Sequence, residues 1–227
     1  MANNEYEATG VLILDKVTPV ITALFGGYNL DATYPGEGRA YIASTIESGD
    51  PYWDLVHESL VDLAGDLGIL PQDDAAPSIE AVLRLLARHF HLKDHDELDH
   101  FIEHQDFGGL ADLDALFLIA TWFDDGHNLK AIAFEGCWYC SKPRLFEFGG
   151  NGYFISRPIT HFANSSEVIT LGEQLMQALL DNNLEAAGVL IANQTIQLLA
   201  GIEDSSTRTT LRKLVAEHLA QLPSPAP

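Results

Sequence analysis

Five of the nine histidines stand in one stretch, HFHLKDHDELDHFIEH (residues 89–104), interleaved with carboxylates. As a helix, this stretch puts Asp96, His100 and His104 at i, i+4 and i+8 on one face, a spacing from which two imidazoles and a carboxylate reach one zinc ion. Cys137-Trp-Tyr-Cys140 has the spacing of half a zinc knuckle or of a redox pair. No second cysteine pair exists to complete a four-thiolate site, and Lys142-Pro143 signals a turn where a thioredoxin-type helix would start. The pair therefore reads as buried sheet cysteines, with His127 or His161 as partners in a metal alternative. A third set is Trp138, Tyr139, Phe146, Phe148, Tyr153 and Phe154 with Arg144 and Arg157. A strand alternates faces, so some of these aromatics point outward, and Trp, Tyr and Arg dominate protein interfaces. There is no nucleotide loop, no G-x-S-x-G elbow and no nucleophile–base arrangement.

Within the histidine stretch, His100-Phe-Ile-Glu103-His104 fits H-x-x-E-H, and with Gln105-Asp106-Phe107-Gly108 it resembles the motif of the inverted-zincin peptidases related to insulin-degrading enzyme and pitrilysin. The resemblance implies zinc held by His100 and His104, Glu103 as the base that activates water, and Glu173 or Glu185 as a further ligand. It covers His100–Gly108 alone. The strand those peptidases place before the motif is replaced by a helix and a charged turn, and their extended N-terminal sheet has no counterpart. The plainer reading of the segment is a solvated polar face, pH-sensitive through its histidines.

Charge narrows the function further. The chain carries 12 basic and 33 acidic residues, a net of −21. Between Glu47 and Asp125, 19 acidic residues face only Arg84, Arg88 and Lys93, while the segment from His127 to His161 is mildly basic. Such a surface repels nucleic-acid phosphates and excludes direct binding through it. At 227 residues and 47% hydrophobic, the chain buries a sizeable core. No apolar run approaches the ~18 residues of a membrane helix, and the acidic N-terminus lacks secretory-signal features. The expected location is cytoplasmic, with both cysteines reduced.

The elements that must position these residues follow from turn and cap signals. Tyr6–Leu14 alternates as a strand. Thr18-Pro19 opens a short helix ended by Gly26-Gly27, and Asp50-Pro51 repeats the device before a helix closed by Gly68. Pro71–Pro77 is a linker. Ser78 caps a helix to about His91, Asp94 with Glu97 forms a capping box for the next, and Asp112 opens a third. The stretch Leu116–Ile159 then breaks at Asp124-Asp125-Gly126 into short aromatic runs, the pattern of a small antiparallel sheet. Ser165 or Ser166 caps a helix to Leu180, and two helices near 184–202 and 206–222 follow. Ile21–Ala32 also aligns with Ile119–Ala131 if one gap is allowed, suggesting a duplicated α/β unit.

The expected fold is α+β, helices packed on small antiparallel sheets, a tandem-duplicated α/β unit with a C-terminal helical pair. The expected parts are an N-terminal α/β unit (1–70), an acidic His-rich helical segment (71–110), a second α/β unit (111–182), the helical pair (183–222) and a disordered tail (223–227). The expected function is a non-enzymatic acidic binding or inhibitor protein, in its specific form a phosphate mimic that blocks a basic groove on a bacterial defence or regulatory protein. The acidic face is assigned to Asp54, Asp62, Asp66, Asp96, Asp99 and Glu103. Trp138, Tyr139, Arg144, Tyr153 and Arg157 form a second contact, to a partner or to another copy in a homodimer. No cofactor is expected. A zinc hydrolase using Asp96, His100 and His104 is the alternative.

Overall fold

The computed structural model describes residues 4–45, 51–71, 77–92, 96–142, 145 and 147–221. Six strands, β1 (Asn4–Ile13), β2 (Asp31–Pro35), β3 (Arg39–Ser44), β4 (Ala131–Cys140), β5 (Gly149–Ser156) and β6 (Thr160–Asn164), form one antiparallel sheet in the order β2-β3-β1-β4-β5-β6. The helices are α1 (Pro19–Phe25), α2 (Trp53–Asp66), α3 (Ile79–His89), α4 (Asp96–His104), α5 (Leu113–Trp122), α6 (Ser165–Leu180), α7 (Leu184–Ala200) and α8 (Ser205–Gln221). The class is α+β as the patterning predicts. The strands of both α/β units share a single sheet, joined where β1 pairs with β4 from Asn4↔Cys140 to Ile13↔Ala131.

Local signals account for most helix starts. Thr18 accepts from the Ile21 N–H with Pro19 at the first turn, Ser78 accepts from Ala81, and Asp112 accepts from Ala115 at 2.8 Å. Gly68, at φ +68°, follows the end of α2. The cap of α6 is Asn164, in a capping box with Glu167, and not Ser165 or Ser166. β6 runs straight into this helix, so its last extended residue already sits in N-cap geometry. Asp50, Asp94, Phe146 and most of the Pro71–Pro77 linker, like the 223–227 tail, lie outside the described residues.

One device repeats. Asn29 (φ 51) and Asn128 (φ 47) occupy aligned positions after α1 and α5, each turning the chain through the left-handed region before a strand. The equivalence ends there, since β2 is a five-residue edge strand and β4 a ten-residue central one.

The even-numbered residues of β1, β3 and β4 and the odd ones of β5 point to one face. Leu12, Ile42, Ile132 and Ile155 there meet Leu24, Phe25, Leu60, Leu83, Leu116 and Phe123 in the core. α1 packs on α2 and α5, and α2 on α3, so the segments between β1 and β4 all fold onto this one side. α6 and α7 form an antiparallel hairpin at the β6 edge, pinned where Thr160 N–H donates to Gly201 O at 2.8 Å and Glu203 N–H to Pro158 O at 3.1 Å.

Candidate functional site

The opposite face of the sheet has no helix or strand over it among the described residues. Pairing arranges its side chains in rows across the strands. The first row is Tyr41, Val11, Ala133, Phe154 and His161. The second is Ala43, Thr9, Glu135, Gly152 and Ala163; the third is Glu7, Cys137 and Gly150; the fourth is Glu5 and Tyr139. An aromatic ridge thus borders two rows built largely of Gly, Ala, Thr and Cys, and the small residues leave a trough. Two adjoining depressions of about 570 and 710 Å³ lie along it, sharing Thr9, Glu135, Gly152 and Ala163. Ser165 and Val168 of α6 form part of its wall. Val11 and Glu5 are six residues apart on β1, about 20 Å at ~3.4 Å per residue. Two small rows lie between them, room for a helix ~10 Å across.

The electrostatics of the trough are acidic at one end. Glu7 and Glu135 point from its floor, and Glu5 hydrogen-bonds the Tyr139 hydroxyl, a bond that with nearby Glu7 pushes that phenol above its ordinary pKa. Cys137 is exposed here while Cys140 is buried on the other face, because residues three apart on a strand point oppositely. The two free thiols therefore neither bridge nor share a metal, and only Cys140 matches the buried-cysteine expectation.

The aromatic set divides between the faces. Tyr139 borders the trough. Trp138 lies on the other side, its ring where a Cβ on Gly149 would stand. Tyr153 packs on the core and donates its hydroxyl to Asp114 Oδ2. Arg157 is exposed beyond β5, and Arg144 lies outside the described residues. Burial raises Asp114 above the ordinary carboxylate range against the opposing Tyr153 hydrogen bond, and burial with the Asp114 bond raises Tyr153. A raised Asp114 pKa contributes stability that is present in acid and lost as pH rises through its folded value. Tyr153→Phe should accordingly cost about 1–3 kcal/mol at neutral pH, where it strands a half-buried carboxylate. The cost should shrink as pH falls through the carboxylate range, where the raised Asp114 gains its proton ahead of an ordinary aspartate. Urea denaturation at neutral and at acid pH tests this, and an equal cost at both would remove the coupling.

The acidic residues assigned to a helical face are carried by two helices. Asp54, Asp62 and Asp66 are exposed on α2, and Asp96 and Glu103 on α4. α3 packs on α2 and brings Arg84, which pairs with Asp99 at 3.3 Å. His100 and His104 stack their rings at 4.1 Å, with His104 Nδ1 hydrogen-bonded to the His100 carbonyl. That bond leaves His104 Nε2 as its free ring nitrogen, but the ligand atoms of Asp96, His100 and His104 do not gather within 4.8 Å of one another. Glu173 and Glu185, the further ligands implied by the peptidase resemblance, are exposed on α6 and α7.

Among the described residues, the group with metal-ligand spacing is instead Asp124, Asp125 and His127, whose ligand atoms lie within 4.8 Å of one another. Asp125 Oδ1 and His127 Nε2 are buried without a hydrogen-bond partner, while Asp124 Oδ1, Asp125 Oδ2 and His127 Nδ1 are engaged. Asp124 Oδ1 accepts from the Gly126 and Asn128 N–H groups, Asp125 Oδ2 from Val20, and buried His127 Nδ1 from Leu129 at 2.9 Å. Burial raises the Asp124 carboxyl, but the backbone donors Asn128 and Gly126 and nearby His127 outweigh it, leaving the pKa lowered. Asp15 receives the Asn128 amide and the Lys130 ammonium, closing the loop onto the end of β1. The arrangement is a clamp between the β1–α1 and α5–β4 turns. Its Asp-Asp-Gly turn is legible in the sequence, while the carboxylate–imidazole grouping depends on His127 being folded inward.

No family model, no curated protein and no solved structure matches the chain.

Proposed function

We propose that this is a non-enzymatic binding protein that seats a basic amphipathic helix of a partner protein in the trough of its uncovered sheet face. The observation that carries this reading is the trough's composition: a floor of small residues, an aromatic ridge with Tyr41 and Phe154, Glu7 and Glu135 on the floor, and Glu5 on the border opposite the ridge. A helix with one apolar face and flanking lysines or arginines matches these features. An inhibitor that replaces nucleic-acid phosphates in a basic groove is the specific form of the proposal, resting on the net charge of −21. The trough serves better than the acidic helices, because α3, packed on α2, brings Arg84 and Arg88, and Arg84 pairs with Asp99 of α4. A cytoplasmic location belongs to the same proposal. Among the described residues no helix is long and apolar enough to cross a membrane.

The test uses two labelled helical peptides, one of leucine and lysine and one of leucine and glutamate, followed by fluorescence anisotropy. The basic peptide should bind with micromolar Kd at low salt, and weaken as the Debye length falls from about 10 Å to about 3 Å. Glu5→Lys with Glu135→Lys should lower its affinity roughly 5- to 30-fold, at about 0.5–1 kcal/mol per reversal. Equal binding of the acidic peptide, or no change in the double variant, would remove the proposal. Loss with Asp54→Lys and Asp62→Lys alone would move the site to α2.

A further inference from the structure

The two depressions of the trough meet in a notch over Gly152. Glu135 of β4, Gly152 of β5 and Ala163 of β6 stand side by side in the second row, with Ala133, Phe154 and His161 beside them in the first. Gly152 contributes no side chain, and a Cβ on it would meet nothing within 4 Å. The space left open is bounded by Glu135 on the neighbouring strand and by Phe154, the next residue of β5 on this face. Glu135 and Phe154 are diagonal neighbours across the β4–β5 ladder, a separation of about 7–8 Å that long and aromatic side chains bridge. A small flat ion over Gly152 therefore has a carboxylate on one side and an aromatic ring on the other.

Both flanking groups are uncommitted. Among the described residues Glu135 makes no hydrogen bond or ion pair, and Phe154, 38% exposed, stacks on no other ring. The residues lining the two depressions include Glu7 and Glu135 but neither Lys nor Arg, so the cation that complements them comes from a partner. Net charge alone does not choose between an ammonium and a guanidinium. An ammonium is a compact, strongly hydrated point charge, which loses more on leaving water. A guanidinium is flat and weakly hydrated: it lays one face on a ring while two N–H groups in its plane reach a carboxylate. Its aliphatic stem also covers small apolar residues such as Ala133. The pairing of a ring with a carboxylate across an empty glycine fits the guanidinium.

We propose that the notch is an arginine seat: the helix bound in the trough places one guanidinium over Gly152, stacked on Phe154 and paired with Glu135. This rests on the reading of the trough given above and adds which cation the trough selects.

The test compares the leucine–lysine peptide with a counterpart in which every lysine is arginine, by fluorescence anisotropy with the full chain at low salt. The arginine peptide should bind roughly 5- to 20-fold more tightly. Phe154→Leu and Glu135→Gln should each bring the two peptides within about twofold of one another. Phe154→Leu should do so by weakening the arginine peptide alone, and Glu135→Gln by weakening both, the arginine peptide more. Near-ultraviolet circular dichroism checks that each variant is folded, and Glu135→Gln, nearly isosteric at an exposed position, keeps the test open if Phe154→Leu disturbs the sheet. Equal affinities of the two peptides for the wild type, or an arginine preference that survives either folded variant, would overturn the seat and leave the trough reading standing. Binding of neither peptide would overturn both.

Discussion

Gly10→Val should destabilise the protein by about 4 kcal/mol or more, whereas Gly152→Val should change stability by less than about 1 kcal/mol. Both glycines lie in the sheet, so strand propensity predicts a similar small gain from valine at each. The surroundings separate them. A Cβ on Gly10 would stand 2.2 Å from the Ala133 carbonyl oxygen and 2.6 Å from the Phe134 ring. The nearer obstacle is the backbone of the next central strand, which moves only if the β1–β4 ladder opens. The ring is itself packed edge-on against Tyr28 at 6.0 Å, whose hydroxyl donates to Ala111 O. A Cβ on Gly152 meets nothing within 4 Å, because that residue faces the uncovered side. Chemical denaturation of the two variants measures the contrast. Similar losses would mean that the second face is covered after all. The stable variant also probes function, since a valine at position 152 narrows the trough and should weaken the basic peptide about 10-fold while the fold stands.

Phe123→Ala should cost about 3–5 kcal/mol, and lower Tm by roughly 10 °C for a domain of this size. Phe123 is fully buried at the end of α5 and stacks on Phe90 at 5.6 Å, tying the ends of α3 and α5 together. Truncation leaves a cavity that neither helix end fills easily, because Phe123 is followed at once by the clamped Asp124–Leu129 loop. Leu118→Ala on the same helix, 43% exposed, should cost under about 1 kcal/mol. A midpoint shift in urea at unchanged slope is the expected form of the result. Equal shifts for the two variants would show that Phe123 does not anchor this corner.

What could be read from the chain alone was local. Thr18, Ser78 and Asp112 announce their helices because a cap bonds backbone only two or three residues ahead, so the signal and its partner share one short window. The cap of α6 is Asn164 and not the neighbouring serines, because β6 runs unbroken into α6, a continuity that short-range signals do not show. Alternation in 131–137 and 149–156 was equally legible, and so was the excess of acid between Glu47 and Asp125. Charge density along the chain did not reveal that Arg84 of α3 sits against Asp99 of α4. Helical spacing places Asp96, His100 and His104 on one face, yet a shared face does not guarantee converging ligand atoms, and those of this trio do not gather within 4.8 Å of one another.

Tertiary structure decided which faces stay uncovered. The pairing of Val11 with both Tyr41 and Ala133, and of Ala133 with Phe154, joins strands up to more than a hundred residues apart into one row. No local propensity encodes such a register. The same alternation that buries Leu12, Ile132 and Ile155 would permit a second helical layer on the other side. Among the described residues no helix or strand lies over that side, because the helices between β1 and β4 pack on the first. Likewise, α6 is apolar on two opposite sides in the sequence, and only its seating at the β6 edge beside α7 leaves Ile169, Met176 and Leu180 facing outward. Sequence determined the elements and the overall charge, because both arise within a few residues. The trough and the exposed faces of α6 and α7 were set by how distant elements cover one another, a competition for apolar surface that is settled only when the whole chain has packed.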